Sequence, residues 1–289
     1  MDIFRSIRPL QILLSTMTYL LGTAIASYLG IPFSNLGFWL GLGWVVLVQI
    51  CFTLLAEVFR SVNEPAKVND KLSERINFRN LLLLISGSAL MAAVMLTLLM
   101  LRLEKFTLST ILFLSVTIIL SFAYSVPPLR LIYTGFGEFV LAILLSFLPA
   151  SLAFLLQSGE YHRLVGFVTF PLILFGLAWL IVLDFPSYAE DQKYEHLTLL
   201  RRLGWERAIT FHNAMLIFGY GIFLFAPLIG IGLNLIYPAL FTLPFALLQI
   251  LLIRGIARGA PANWRLITAT STCVFGLTIY FITLTFWLR

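Results

Sequence analysis

Charge, cysteine and strand-like alternation are all scarce in this 289-residue chain: 11% of its residues are charged and two are cysteines. Soluble domains carry about 25% charged residues, so the composition excludes a soluble domain. Cys51 and Cys273 lie far apart in apolar runs, a placement that supports neither a disulfide framework nor a metal motif. The apolar runs are continuous rather than alternating, which excludes a membrane β-barrel.

Hydrophobic residues make up 60% of the chain and are gathered in long uncharged runs. Five runs have the length of one membrane span, ~20 residues, and two runs are long enough for two spans each. The runs are 80–101, 106–129, 139–159, 164–183, 266–288, 9–56 and 208–253. Breaks are expected around Gly30-Ile31-Pro32 and between Ala226 and Asn234. Five single and two double runs predict one all-α integral membrane domain, residues 1–289, with nine transmembrane helices.

The distribution of Lys and Arg predicts how these helices are oriented. With the N-terminus inside, fifteen of the nineteen basic residues fall on cytoplasmic segments and four on the opposite side, as the positive-inside rule requires. We therefore expect a multi-pass protein of the cell (inner) membrane, with a cytoplasmic N-terminus and the C-terminus on the opposite side. The net charge of +6 then reflects topology and attraction to anionic membrane lipids, and it does not indicate nucleic-acid binding.

Carboxylates stand at or just beyond the inner ends of two predicted spans: Glu57, Glu64, Asp184 and Asp191. Members of each pair are seven residues apart, a spacing that puts side chains on nearly one helix face, ~10 Å apart. Pro65 would end the first helix, and Pro186 would kink the second. Carboxylates at the end of a membrane span are costly and are usually functional. The two pairs therefore predict a shared cation site.

The candidate ligands at such a site are oxygens, with no His or Cys nearby in sequence except His196. Oxygen ligands favour Mg²⁺ over Zn²⁺. Mg²⁺ keeps water and binds substrate phosphates through a few carboxylates, which implies a phosphorylated substrate. An alternative stays open, since Glu57, Arg60 and Glu64 have i, i+3 and i, i+4 spacings. These three residues could simply pair on a solvated helix end.

A third segment, 124–131 with the sequence YSVPPLRL, is followed by GFGE at 135–138. Arg130 is the one Lys or Arg within 106–162. Its guanidinium could clamp a phosphate with two hydrogen bonds, and the Tyr124 hydroxyl could add a donor. Alternatively, Arg130 anchors the topology and pairs with Glu138.

Together these motifs resemble the UbiA superfamily of intramembrane prenyltransferases, over essentially the whole chain. The resemblance rests on Arg8-Pro9 at the first span, YSVPPLRL and GFGE after the fourth, and D-F-P-x-x-x-x-D followed by Thr198-Leu199 after the sixth. The most similar branch is the menaquinone type, which attaches a polyprenyl tail to 1,4-dihydroxy-2-naphthoate.

This resemblance implies nine helices around a central cavity that opens to the cytoplasmic side, with Mg²⁺ as cofactor. It implies that prenyl diphosphate and a small aromatic acceptor are the substrates. The residues it implies as metal ligands are Glu57, Glu64, Asp184 and Asp191, of which Glu57, Asp184 and Asp191 are catalytic. The residues it implies as diphosphate ligands are Arg60, Tyr124, Arg130 and Lys193.

The sequence departs from the family pattern at several positions, and Arg60 and Ser187 stand where the central Asp of each motif is usual. The leading Asn of the first motif is Ala56, its outer acids are Glu, and the usual Gly-Lys-Arg before Thr198 is Glu195-His196-Leu197. Arg60 could neutralise diphosphate in place of a metal, or the site no longer catalyses a reaction. The expected function is Mg²⁺-dependent prenyl transfer to a 1,4-dihydroxy-2-naphthoate-like acceptor. The alternatives are another acceptor (4-hydroxybenzoate, a chlorin, haem or glycerol phosphate), a catalytically silent isoprenoid- or lipid-binding protein, and a transporter.

Overall fold

A computed structural model describes residues 3–60, 72–103 and 106–289. Over these ranges the regular structure is helical, with no strand. The helices are α1 (Ile3–Ser6), α2 (Pro9–Tyr28), α3 (Asn35–Val58), α4 (Leu72–Met100), α5 (Leu108–Ser125), α6 (Gly137–Ser146), α7 (Leu148–Ser158), α8 (Arg163–Asp184), α9 (Tyr188–Lys193), α10 (Leu199–Leu203), α11 (Trp205–Leu224), α12 (Leu233–Ile236), α13 (Leu243–Ala257) and α14 (Trp264–Trp287). Short 3-10 helices span Leu131–Tyr133, Ala226–Ile229 and Tyr237–Thr242.

Eight helical segments in the described part of the chain are long and apolar enough to cross a membrane. One segment joins α6 to α7 and another joins α12 to α13. The prediction of an all-α, multi-pass membrane protein is therefore confirmed. Helix α11, the remaining expected span, is not among the eight, because Arg207, His212 and Asn213 make its first half polar. The count of nine spans stays a prediction, as does the orientation of the termini.

Both double runs break where the sequence predicts. Helix α2 ends at Tyr28 and α3 begins at Asn35, after Ser34 accepts a hydrogen bond from the Gly37 amide as the N-cap. This cap satisfies one of the free amides at the start of a helix. In the second run α11 ends at Leu224 and α12 begins at Leu233.

Helices α2 and α8 form the centre of the bundle. Helix α2 packs against α3, α6, α7 and α14, and α8 packs against α6, α11 and α14. A Cβ at Gly22 of α2 would collide with the Ala150 carbonyl of α7, so glycine is what lets these two backbones touch. Helices α4 and α5 expose large apolar side chains such as Leu84, Met91 and Leu108, as lipid-facing helices do.

One end of the bundle gathers the ends of five helices. Helices α2 and α6 begin there, α3, α5 and α8 end there, and the short helix α9 lies beside them. This is the end that the charge distribution predicts to be cytoplasmic. Polar side chains that meet here are less costly than in the middle of the bundle, because helix ends leave its apolar part.

Candidate functional site

A cavity of about 440 Å³ lies between these helix ends. Four carboxyl groups line it, those of Glu57, Glu138, Asp184 and Asp191. The rest of the lining includes aromatic and aliphatic side chains: Tyr124, Ile132, Tyr133, Leu141, Trp179, Leu180 and Leu183. The cavity therefore has a charged part and an apolar, aromatic part.

Two arginines hold Glu57 at the end of α3. Arg8 Nη2 lies 3.4 Å from Glu57 Oε1, and Arg60 Nη1 lies 3.4 Å from Glu57 Oε2. Burial lowers the pKa of the Arg8 guanidinium, but its neighbours Tyr124 and Glu57 more than offset this, so its pKa lies above its usual value. The pairing of Glu57 with Arg60 matches the helix-end alternative, and Arg8 adds a second positive charge to it.

Arg8 adopts a left-handed backbone conformation, with φ of 53°. Pro9 follows it and begins α2, and a proline disfavours the right-handed helical conformation of the residue before it. Left-handed residues other than glycine are uncommon, and they cluster at functional sites. This conformation places Arg8 in the lining of the cavity.

The second acid pair stands on either side of a helix break. Helix α8 ends at Asp184, Pro186 follows, and α9 restarts at Tyr188. Asp184 and Asp191 both line the cavity, as the kinked helix end predicted. The Ser187 hydroxyl donates to Asp191 Oδ2 over 2.8 Å, and His196 Nδ1 lies 3.4 Å from Asp191 Oδ1.

Glu138 in the first turn of α6 is a site residue that was not predicted from the sequence. There it is only the possible partner of Arg130. Its Oε1 accepts a 2.8 Å hydrogen bond from the Leu199 amide, where Thr198 caps α10. Gly137 allows this placement, because a Cβ there would lie 2.7 Å from the Ile132 backbone. A usable signal was present: Glu138 is an acid at the start of an apolar span.

Arg130 and Lys193 stand outside the cavity lining. The Arg130 guanidinium lies 4.2 Å from the centre of the Tyr133 ring, whose other neighbour is the imidazole of His196 at 4.0 Å. Lys193 Nζ lies 5.2 Å from the Tyr194 ring centre. Arg130 therefore supports a stack of rings whose members, Tyr133 and His196, line the cavity.

Five of the predicted site residues are thus brought together at the cavity: Glu57, Arg60, Tyr124, Asp184 and Asp191. Glu64 lies outside the described residues. Helix α3 ends at Val58. Among residues 3–60, 72–103 and 106–289, no group of three or more His, Cys, Asp or Glu side chains is arranged to hold a metal ion.

Three buried oxygens in the cavity lining nevertheless accept no hydrogen bond: Gln11 Oε1, Glu138 Oε2 and Asp184 Oδ2. They come from α2, α6 and α8, and α2 packs against both of the other helices. Carboxylate and amide oxygens are the ligands of hard cations such as Mg²⁺. Gln11, Glu138 and Asp184 are therefore the residues of this lining that would hold a magnesium ion.

The fold and the cavity define a multi-pass helical membrane protein with a polar pocket at one end of its bundle. No protein-family model and no curated protein matches the sequence. Solved structures of UbiA homologues, however, superpose on nearly the whole chain.

The homologue from Archaeoglobus fulgidus bound to GPP and Mg²⁺ has a TM-score of 0.68 and 16% identity, covering 100% of both chains. A digeranylgeranylglyceryl phosphate synthase has a TM-score of 0.60 and 14% identity, covering 100% of this chain and 98% of its own. An apo homologue from Aeropyrum pernix K1 has a TM-score of 0.57 and 14% identity, covering 99% and 96%. At these identities the likeness shows a shared fold.

Proposed function

We propose that this protein is a Mg²⁺-dependent prenyltransferase of the UbiA type, which moves a prenyl group from its diphosphate to an acceptor in the membrane. The observation that carries the proposal is a cavity where two arginines face three further carboxyl groups, in the fold of a homologue bound to GPP and Mg²⁺. Guanidinium groups match phosphate oxygens, and the carboxylates match a cation that phosphate also binds.

In this reaction the C1–O bond of the prenyl diphosphate breaks, and its electron pair leaves with the diphosphate. The acceptor carbon then bonds to C1 and loses its proton. Arg8 and Arg60 bind the diphosphate, and Asp184 is one of the residues that would hold Mg²⁺. Bound Mg²⁺ supplies positive charge for the departing diphosphate. The rings of Tyr124 and Tyr133 exclude water and stabilise the allylic cation through their faces.

We propose a 1,4-dihydroxy-2-naphthoate-like aromatic compound as the acceptor. The apolar part of the cavity, with Tyr133, Trp179 and Leu180, suits an aromatic ring, and the second acidic motif, from Asp184 to Asp191 before Thr198-Leu199, resembles that of the menaquinone branch. His196, held by Asp191, lies in the same lining and can receive the acceptor proton.

A second candidate is a silent isoprenoid-binding protein. One observation favours it: Glu57 is neutralised by Arg8 and Arg60, although the resemblance implies that it binds metal. Such a protein would bind prenyl diphosphate and release it unchanged.

The test is a transfer assay on the purified chain in lipid nanodiscs, with geranylgeranyl diphosphate, Mg²⁺ and separate acceptors. The acceptors are 1,4-dihydroxy-2-naphthoate, 4-hydroxybenzoate and geranylgeranylglyceryl phosphate. We expect prenylated naphthoate, its loss in Asp184→Asn, and its retention in Glu190→Gln, which removes an exposed acid outside the cavity lining. Binding without product from any acceptor would support the silent alternative, and no binding would reject both.

A further inference from the structure

Glu138 is held like a ligand that has been positioned in advance. One carboxylate oxygen is fixed by the Leu199 amide, and the side chain is 7% exposed. The other oxygen, Oε2, is buried without a hydrogen-bond donor. A charged oxygen that is buried without a hydrogen-bond partner is destabilised relative to the same oxygen in water, so such groups usually have a partner.

Asp184 presents the same situation from the neighbouring helix. Its Oδ2 has no donor, and its carboxyl group is close enough to that of Glu138 for the two to interact. Two ionised carboxylates cannot satisfy each other, because both only accept hydrogen bonds. A proton or a cation between the two carboxylates would satisfy both of them. Gln11 Oε1, the third oxygen without a donor, is an additional neutral ligand for a cation.

The opposite acid, Glu57, is in a different environment. Both of its oxygens lie 3.4 Å from a guanidinium. Like charges a few ångströms apart repel strongly where water is partly excluded, so the two arginines disfavour a metal ion beside Glu57. Positive charge is already present here without a metal.

We propose that the cavity holds a single divalent cation, bound by Glu138, Asp184 and Gln11, and that Arg8 and Arg60 replace a second cation beside Glu57. This inference rests on the proposed function for its substrate, a prenyl diphosphate that bridges the cation and the two arginines. Glu138 is then a metal ligand outside both acidic motifs. Asp191, whose oxygens are engaged by Ser187 and His196, positions its neighbours.

Metal binding tests this assignment without turnover. Mn²⁺ is titrated into the full chain in nanodiscs and followed by electron paramagnetic resonance, alone and with geranyl thiolodiphosphate, an analogue that resists transfer. We expect one Mn²⁺ per chain and at least about tenfold weaker binding in Glu138→Gln and Asp184→Asn, a loss typical of perturbed metal sites. Glu138→Gln keeps an oxygen for the Leu199 amide, so its unfolding temperature without metal should match the native value.

The control is Glu190→Gln, which removes an exposed acid outside the cavity lining and should bind one Mn²⁺ with native affinity. Two Mn²⁺ per chain, or native affinity in Glu138→Gln, would each overturn the assignment. Native product formation in Glu138→Gln would refute the metal-site assignment and leave the proposed transferase function standing. Mn²⁺ binding that depends on Glu138, without product from any acceptor, would refute the transferase function and leave the metal site standing.

Discussion

Ser187 donates a hydrogen bond of 2.8 Å to the carboxylate of Asp191, from the position where the UbiA pattern usually has an acid. The hydroxyl lies between the two acids of the second motif, because its oxygen is also 3.1 Å from the Asp184 carbonyl oxygen. The substitution of an acid by serine thus removes a charge and adds a donor. Asp191 is therefore oriented by a hydrogen bond and has one negative neighbour fewer than the family pattern would give it.

Ser187→Ala removes this donor. We expect prenyl transfer to fall by about tenfold, since a hydrogen bond to a charged group contributes roughly 1.5–3 kcal/mol and Asp191 would lose its orientation. Ser187→Thr keeps a hydroxyl and is the matched control, with activity near native. The readout is the initial rate of product formation at saturating Mg²⁺. Equal rates for the two variants would contradict this role of Ser187.

Arg8→Gln should weaken the binding of geranyl thiolodiphosphate by about tenfold or more, because charged hydrogen bonds to phosphate contribute roughly 1.5–3 kcal/mol each. Mn²⁺ affinity without the analogue should not fall, since Arg8 contributes positive charge near Asp184 and no metal ligand. Arg258→Gln, at the exposed end of α13, controls for lost net charge. Isothermal titration measures both affinities, and a native analogue affinity in Arg8→Gln would refute the prediction.

Gly137→Ala should shift the start of α6, since the new methyl group would lie 2.7 Å from Ile132 Cα and 2.8 Å from the Leu131 carbonyl. Overpacking of this kind costs about 1–3 kcal/mol of unfolding free energy. Transfer activity should fall with it, because Glu138 is the next residue. Gly221→Ala in α11 is the control, as no atom lies within 4 Å of its added Cβ. Chemical unfolding in detergent should show that Gly221→Ala is neutral or stabilising.

Glu195→Asn should stabilise the protein without changing its activity. Glu195 has φ of 58° and an exposed side chain, and the left-handed conformation costs most residues roughly 1–2 kcal/mol while asparagine tolerates it. We expect an increase of about 0.5–1 kcal/mol in unfolding free energy. Glu190→Asn, in the right-handed helix α9, should give no gain. A gain in both variants would point to charge rather than backbone conformation.

Apolar run lengths and breaks determined the helical membrane class, because a membrane span must be long, apolar and internally hydrogen-bonded. Glycine and proline in the apolar runs also predicted the turn after Tyr28 and the helix end at Asp184. Four charged residues that the fold brings to one cavity could also be selected from the sequence, since charged groups at span ends are too costly to be frequent.

Tertiary structure decided which groups face one another. Arg8 and Glu57 are far apart in sequence, and their pairing depends on the packing of α2 near α3. Glu138 reached the site only because the starts of α6 and α10 meet, and no periodicity within either helix encodes that meeting. Arg130, which is prominent in the sequence, lies against the Tyr133 ring outside the cavity lining, and this placement also depends on packing. Sequence determines which segments enter the membrane, whereas side-chain partners across helices depend on packing between segments distant in the chain.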